Sequence, residues 1–133
     1  IATAAVADWR PATQSEQKIK KDGSGQTPVL GFVENPDILA TMARSQHALV
    51  GDLFCVGFAA ESHDLLAHAT AKRQRKGVPL LVGNIGPATF GQDDNALLLV
   101  DAHGHRELPR ASKRILARQL VAEIAQRLPA LQA

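Results

Sequence analysis

Two kinds of apolar pattern alternate along this chain. Short blocks of apolar residues bounded by turn-forming residues predict strands, and longer segments with apolar positions three or four apart predict helices. The predicted strands cover residues 2–7, 28–33, 53–58, 78–82 and 96–100, with a return strand at 106–108. The second strand has Pro28 and Val33 at its ends, and the polar, glycine-containing segment before it is interpreted as a mobile loop.

Three predicted helices begin at capping signals. Asn35 provides a cap, and it is followed by a proline for the first turn and an acid that favours the positive helix end. Ser62 caps a second helix, which runs to about residue 76 and is closed by Gly77. The last helix begins near Ser112 and places apolar residues along one side.

Strands that alternate with helices of this length indicate an α/β protein. We predict a Rossmann-like three-layer sandwich, in which a mostly parallel sheet carries helices on both faces. The turn at residues 101–105 joins the last two strands into an antiparallel edge. With 133 residues, the chain is long enough for one core and is treated as one domain.

Composition excludes several functions. A net charge of +2 is too small to indicate a nucleic-acid partner, and no apolar run reaches the roughly 18 residues of a membrane span. Cys55, the only cysteine, forms no internal disulfide, so we expect a cytoplasmic protein. We expect no metal ligands among the side chains, because the histidines lack a metal-binding spacing; His63 and His68, for example, are five residues apart.

Candidate chemistry lies at the ends of predicted strands and on one helix. Ligands collect at the carboxyl ends of strands in open α/β sheets, and the small Gly57 allows either close ligand approach or tight helix packing. Lys72 and Lys76 continue the inward line of the helix that begins at Ser62, so they face either an anion or the solvent beyond the core. Lys18 belongs to a lysine-rich loop that either closes over phosphates or is ordinary solvated surface.

An ordered set of segments connects these positions with a known family. The segments are AAVADWRP from Ala4, KIKK from Lys18, NPDIL from Asn35, VGFAAES from Val56, Lys72 with Lys76, and Asn84 with Phe90 and Asp93. Over residues 2–128 they resemble the phosphopantothenate-cysteine ligase domain of the bifunctional phosphopantothenoylcysteine decarboxylase/phosphopantothenate-cysteine ligase family.

The resemblance implies a CTP-dependent ligation of cysteine to 4′-phosphopantothenate through an acyl-cytidylate. It implies Mg²⁺ held mainly by the nucleotide, Lys18 as the catalytic residue and Asn84 as a candidate for substrate binding. The implied CTP-binding residues are Ala2, Thr3, Ala4, Asp8, Lys18, Pro36, Asp37, Ile38, Leu39, Phe58, Lys72 and Lys76. Family members are commonly dimeric, and residues 28–33 are our candidate for the contact.

The resemblance further implies that this chain is the carboxy-terminal portion of one ligase domain. The amino-terminal part of that domain is absent, as is the decarboxylase that would carry FMN, so we expect the isolated chain to be inactive. Two alternatives stay open. One is an NAD(P)-binding oxidoreductase domain, although no G-x-G-x-x-G follows a predicted strand. The other is a non-catalytic dimerisation module.

Overall fold

The computed structural model describes residues 1–3, 6–21 and 23–128. The chain forms two compact units, a larger one of Ile1–Thr3 with Ile38–Ala133 and a smaller one of Ala4–Asp37. The smaller unit contains the strands β1 (Trp9–Pro11) and β2 (Phe32–Glu34). The larger unit contains α1 (Ile38–Ala43), α2 (Gln46–Leu49), β3 (Val56–Glu61), α3 (Leu65–Lys76), β4 (Leu80–Ile85), a 3₁₀ turn (Gly86–Ala88), β5 (Asp94–Asp101), β6 (Gly104–Ser112) and α4 (Lys113–Arg127).

The sheet of the larger unit has the strand order β3-β4-β5-β6. β3 and β4 are parallel, while β4–β5 and β5–β6 are antiparallel. Ala2 adds a parallel bridge to Gly57 on the outer side of β3. The α/β class with an antiparallel edge is confirmed, and the sheet is mixed: of the three pairings between its described strands, two are antiparallel and one is parallel.

Helices cover both faces of this sheet. On one face, Ala69 of α3 and Ala43 of α1 pack with Leu81 and Leu98 of the sheet. On the other face, Leu116 and Leu120 of α4 pack with a second set of strand residues, which includes Leu80 and Leu99. Because successive strand residues point to opposite faces, β4 contributes to both cores, and the predicted three-layer sandwich is confirmed. Among the described residues, every helix is too short or too polar to cross a lipid bilayer.

The helix ends follow local capping chemistry. Ser112 caps α4, as predicted, by accepting a hydrogen bond from the amide of Ile115. Gly77 closes α3 in the left-handed conformation with φ of 70°, which is also as predicted. The predicted cap Ser62 is wrong, because α3 begins at Leu65 with Asp64 as the preceding residue, and the Ser62 hydroxyl instead bonds Nδ1 of His63.

The strands predicted at 53–58 and 78–82 begin and end two or three residues before β3 and β4 do. β3 and β4 pair from Val56 opposite Leu80 to Glu61 opposite Ile85, later along the chain than the apolar runs indicate. The reason is that an apolar run reports burial, whereas the strand ends where the hydrogen-bonded ladder ends. Cys55 is buried without strand pairing, and Glu61 is paired although it is charged.

The first predicted strand, residues 2–7, is not formed over its described part. Ala2 makes a single bridge, and residues 6 and 7 lie outside any strand. Val6 is exposed instead of buried. Residues 4 and 5 of this prediction lie outside the described residues.

In the smaller unit, β1 and β2 form an antiparallel pair in which Arg10 lies opposite Val33. β2 is shorter than the predicted strand 28–33 and ends one residue later. The predicted helix start at Asn35 is also wrong, since α1 begins at Ile38. The Asn35 side chain donates a hydrogen bond to the carbonyl of Ala7 at 2.7 Å and accepts one from Arg10, so it serves the strand pair instead of a helix.

An ionic cluster attaches α4 to the antiparallel hairpin. Glu123 is buried on α4, where Arg106 Nη1 lies 2.7 Å from Oε1 and Arg127 Nη1 lies 2.8 Å from Oε2. Arg127 also contacts Asp101, at the end of β5, at 3.0 Å. Burial raises the pKa of Asp101, but the amide of His103 and the guanidinium of Arg127 outweigh it and leave this pKa below its ordinary value of 3.8.

We expect Arg127→Ala to lower the free energy of unfolding by about 1–3 kcal/mol, because it removes a donor from a carboxylate that is buried. Urea denaturation measures the change. Arg118→Ala, at an exposed position of the same helix, is the matched control and should change stability by less than about 0.5 kcal/mol. Equal effects of the two substitutions would show that the cluster contributes nothing specific.

Candidate functional site

The carboxyl end of β3 and the facing side of α3 carry the charged groups of the candidate site. Glu61 is the last residue of β3, and Lys72 lies in the third turn of α3. Lys72 Nζ lies 2.9 Å from Glu61 Oε1, and the two side chains are 30% and 17% exposed. Helical side chains tilt toward the helix amino terminus, which allows Lys72 to reach back to the strand end.

Glu61 is contacted from two successive turns of α3. Its Oε2 lies 3.7 Å from Nδ1 of His68, one turn before Lys72. One carboxylate therefore holds a lysine with one oxygen and faces a histidine with the other. Glu61 was not among the predicted site residues, although it is the only acidic residue within the segment VGFAAES.

Lys72 and Lys76 lie on the same side of α3 as its buried residues, as the helical periodicity predicts. Ala69 on the same line is fully buried, and Leu65 packs against the core beside it. Both lysines are half-buried, and Lys76 lies in the last turn, where a cation complements the negative end of the helix dipole. The side of α3 that carries Leu65 and Ala69 therefore changes from apolar to charged at Lys72, where the helix extends beyond the apolar core.

Gly57 is surrounded by packed side chains. A Cβ at this position would lie 2.8 Å from Leu39 Cδ2 and 2.9 Å from Leu81 Cδ1. Of the two interpretations of this glycine, tight packing of a helix against the sheet is the one that the structure supports. Leu39, one of the expected nucleotide contacts, fills this space.

The expected contacts of the larger unit do not all share one face of the sheet. Leu39 packs with the core beneath α1 and α3, whereas Phe58 packs with the core beneath α4. Ala2 lies at the sheet edge beside β3, where its amide donates to the carbonyl of Val56 at 2.8 Å. Thr3 and Ile38 are exposed. The structure thus brings Ala2, Leu39 and Phe58 around β3 without forming a single surface from them.

Asn84, the candidate for substrate binding, has a contact within the larger unit. Its side-chain amide donates to Oγ1 of Thr89 at 2.9 Å, and Thr89 is buried. The Thr89 hydroxyl in turn donates to the carbonyls of Ile85 and Gly86. Asn84 therefore stabilises the turn that follows β4, and its role toward a substrate stays a prediction.

The remaining expected residues belong to the smaller unit. The carbonyl of Asp8 accepts a hydrogen bond from the amide of Asn35 at 2.8 Å. Lys18 is exposed in a segment without helix or strand, and Pro36 and Asp37 precede the first helix. Ala4 lies outside the described residues, and its predicted contact with the nucleotide stays a prediction.

Comparison with known proteins identifies the family. Residues 1–128 match the DNA/pantothenate metabolism flavoprotein C-terminal domain, and the chain belongs to this family. The coenzyme A biosynthesis bifunctional protein CoaBC of Vibrio cholerae is 44% identical over 121 residues, which are 88% of this chain and 29% of that protein. The CoaBC protein of Mycolicibacterium smegmatis is 40% identical over 134 residues, which are 94% of this chain and 32% of that protein.

Solved structures agree with this assignment. The crystal structure of the C-terminal domain of a CoaBC protein has a TM-score of 0.66 and 27% identity, covering 95% of this chain and 52% of that one. The DNA/pantothenate metabolism flavoprotein from Streptococcus pneumoniae has a TM-score of 0.67 at 15% identity, over 92% of this chain and 60% of that one, and shares the fold. The present chain spans about a third of the length of the CoaBC relatives.

We expect Gly57→Ala to lower the free energy of unfolding by about 1–3 kcal/mol, because the added methyl group must displace Leu39 and Leu81. Gly31→Ala is the control, since its Cβ would meet only Ala12, at an ordinary 3.6 Å. Urea denaturation measures both changes. Combining Gly57→Ala with Leu39→Ala should cost less than the sum of the two single changes, and additive costs would contradict the packing argument.

Proposed function

We propose that the protein containing this chain joins cysteine to 4′-phosphopantothenate at the expense of CTP, in coenzyme A biosynthesis. Family membership over residues 1–128, and relatives named as coenzyme A biosynthesis bifunctional proteins, support the proposal. In the first step, the carboxylate of 4′-phosphopantothenate attacks the α-phosphorus of CTP, releasing pyrophosphate and forming an acyl-cytidylate. In the second, the cysteine amine attacks the acyl carbon, and CMP and a proton leave.

The observation that carries the proposal is the Glu61–Lys72 pair at the carboxyl end of β3. Activation by a nucleoside triphosphate needs fixed cations against the phosphoryl oxygens and requires no protein nucleophile. Glu61 holds the Lys72 ammonium in place before substrate arrives, which reduces the ordering cost of binding. Lys76, one turn further along the same line of α3, supplies a second cation for the phosphates.

Lys18 is assigned to the chemical step by the resemblance. Its ammonium would neutralise charge that develops on the α-phosphate while the carboxylate attacks. A lysine on an exposed segment has a long, flexible side chain that can follow the changing position of the phosphate oxygens. Ala2, Thr3, Ala4, Asp8, Pro36, Asp37, Ile38, Leu39 and Phe58 remain the proposed contacts to the rest of CTP, with Asn84 proposed for the substrate.

Magnesium, which the resemblance implies, fits this chain as an ion carried mainly by the nucleotide. Glu61, the carboxylate at the end of β3, is already engaged by Lys72. Mg²⁺ binds the oxygens of a triphosphate readily and keeps several waters, so it needs few protein ligands. When bound, it would withdraw charge from the triphosphate. FMN belongs, in this proposal, to a decarboxylase domain outside this chain.

In the full-length protein, we expect Lys18→Gln to lower kcat by about a hundredfold or more, and to weaken CTP binding less than it slows the chemical step. Lys72→Gln should weaken CTP binding about tenfold or more, because it removes a preorganised charge at the phosphates. Pyrophosphate release that depends on both cysteine and 4′-phosphopantothenate gives the rates, and calorimetric titration gives the affinity.

Lys20→Gln, in the same lysine-rich loop, serves as the control for Lys18→Gln and should retain activity. A wild-type rate in Lys18→Gln would remove Lys18 from the mechanism. Titration with NADPH distinguishes the oxidoreductase alternative: tighter binding of NADPH than of CTP would overturn the ligase proposal.

We also propose that the protein forms a homodimer through residues 28–33. The smaller unit carries large apolar side chains that are open to solvent, among them Trp9, Val29 and Phe32. Val29 is 98% exposed, in a segment that also contains the exposed Leu30. Such a concentration of apolar surface is typical of an association site.

Val29→Asp should convert the dimer to monomers, because it buries an unpaired carboxylate in the proposed contact. Sedimentation velocity of the full-length protein at micromolar concentration measures the change. Gln26→Asp adds the same charge at an exposed polar position of the same unit and should leave the dimer intact. A monomeric wild-type protein, or a Val29→Asp variant that stays dimeric, would rule out this contact.

A further inference from the structure

Two histidines and an aspartate converge at the junction between β3 and α3. His63 and Asp64 lie in the connecting segment, and His68 lies in the first turns of α3. One potential ligand atom from each of the three lies within 4.8 Å of the others. Their spacing in sequence predicts no metal site, but the turn into the helix brings them together.

The polar neighbours of the two histidines lie beside Nδ1 of each ring, which directs each Nε2 to another contact. His63 Nδ1 is bonded to the Ser62 hydroxyl at 2.8 Å, and its Nε2 lies 3.9 Å from Asp64 Oδ2. His68 Nδ1 lies 3.7 Å from Glu61 Oε2. Metal-bound histidines have this arrangement, since the second nitrogen is normally oriented by a hydroxyl, carbonyl or carboxylate.

Asp64 precedes α3 in the N-cap position, but its carboxylate makes no capping hydrogen bond. Aspartate at this position normally accepts from the amides of the first turn. The carboxylate instead turns toward His63, and the two rings of His63 and His68 meet edge to face at 5.0 Å. The three side chains therefore lie close together at an exposed junction.

We propose that His63, Asp64 and His68 bind a divalent transition metal ion such as Zn²⁺. Two imidazoles with one carboxylate are ligands that favour Zn²⁺, Co²⁺ or Ni²⁺ over Mg²⁺ and Ca²⁺. Ligands about 2.1 Å from a tetrahedral metal are about 3.4 Å apart, so the three side chains close inward by about an ångström on binding. They are 69%, 74% and 44% exposed, so few packed neighbours oppose that movement.

Glu61 contacts one of the proposed ligands, His68, without binding the metal itself. It orients His68 through Nδ1 while its other oxygen holds Lys72. Three protein ligands leave a fourth coordination position to water or to an anionic ligand. The proposal does not depend on the proposed ligase function, because metal binding is measured without nucleotide or substrate.

Calorimetric titration of the metal-free full-length protein, without an affinity tag, with ZnCl₂ is the first test. We expect one ion per chain, and His63→Ala and His68→Ala should each weaken binding at least tenfold. His47→Ala is the matched control. It removes an exposed histidine whose Nδ1 lies 3.6 Å from an aspartate, Asp52, but which has no second histidine beside it among the described groups.

Titration with CoCl₂ tests the ligands directly, because the visible absorption of bound Co²⁺ depends on its coordination geometry and on its ligand atoms. The wild type and His47→Ala should develop the same spectrum, and both His63→Ala and His68→Ala should lose it. The proposal is overturned if the wild type fails to bind Zn²⁺, or if both variants bind it as the wild type does. Loss of ligase activity without a change in zinc affinity would bear on the proposed function alone.

Discussion

The larger unit depends on burying β4 on both faces. Leu80, Leu81 and Val82 are fully buried, although they point alternately to opposite sides of the sheet. A strand of this kind is stable only if a helix covers each face, because either face left open would expose several large apolar side chains. α3 and α4 meet this requirement, and the short stretch 80–82 thereby determines the three-layer arrangement.

Close approach of the helices to β3 and β4 relies on one glycine in each strand. Gly57 leaves room for Leu39, and Gly83 leaves room for Leu65, whose Cδ1 would lie 2.8 Å from an added Cβ. Leu65 begins α3, so its contact with Gly83 fixes the start of that helix beside the carboxyl ends of β3 and β4. The charged side chains further along α3 are positioned by the same contact, which links core packing to the candidate site.

The sequence predicted the class of fold because alternating strand and helix patterns reflect burial, and burial determines the layers. It predicted element ends less well. Glu61 of β3 pairs with Ile85 of β4 despite its charge. Asn35 donates a hydrogen bond to Ala7, although the residues that follow Asn35 are typical of a helix start. Both outcomes depend on partners distant in sequence, which propensity and periodicity do not report. The inward position of Lys72 followed from helical geometry, but its partner Glu61 required the strand–helix packing to be known.

The double use of Glu61 has a consequence for selectivity. An anion that draws Lys72 toward itself leaves a carboxylate that is only 17% exposed without its cation, and this loss offsets part of the attraction. A ligand with several charged oxygens attracts the Lys72 ammonium more strongly than a singly charged anion does, and so offsets more of this loss. If phosphates bind at this strand end as proposed, the Glu61–Lys72 pair favours ligands of high total charge, whatever their shape.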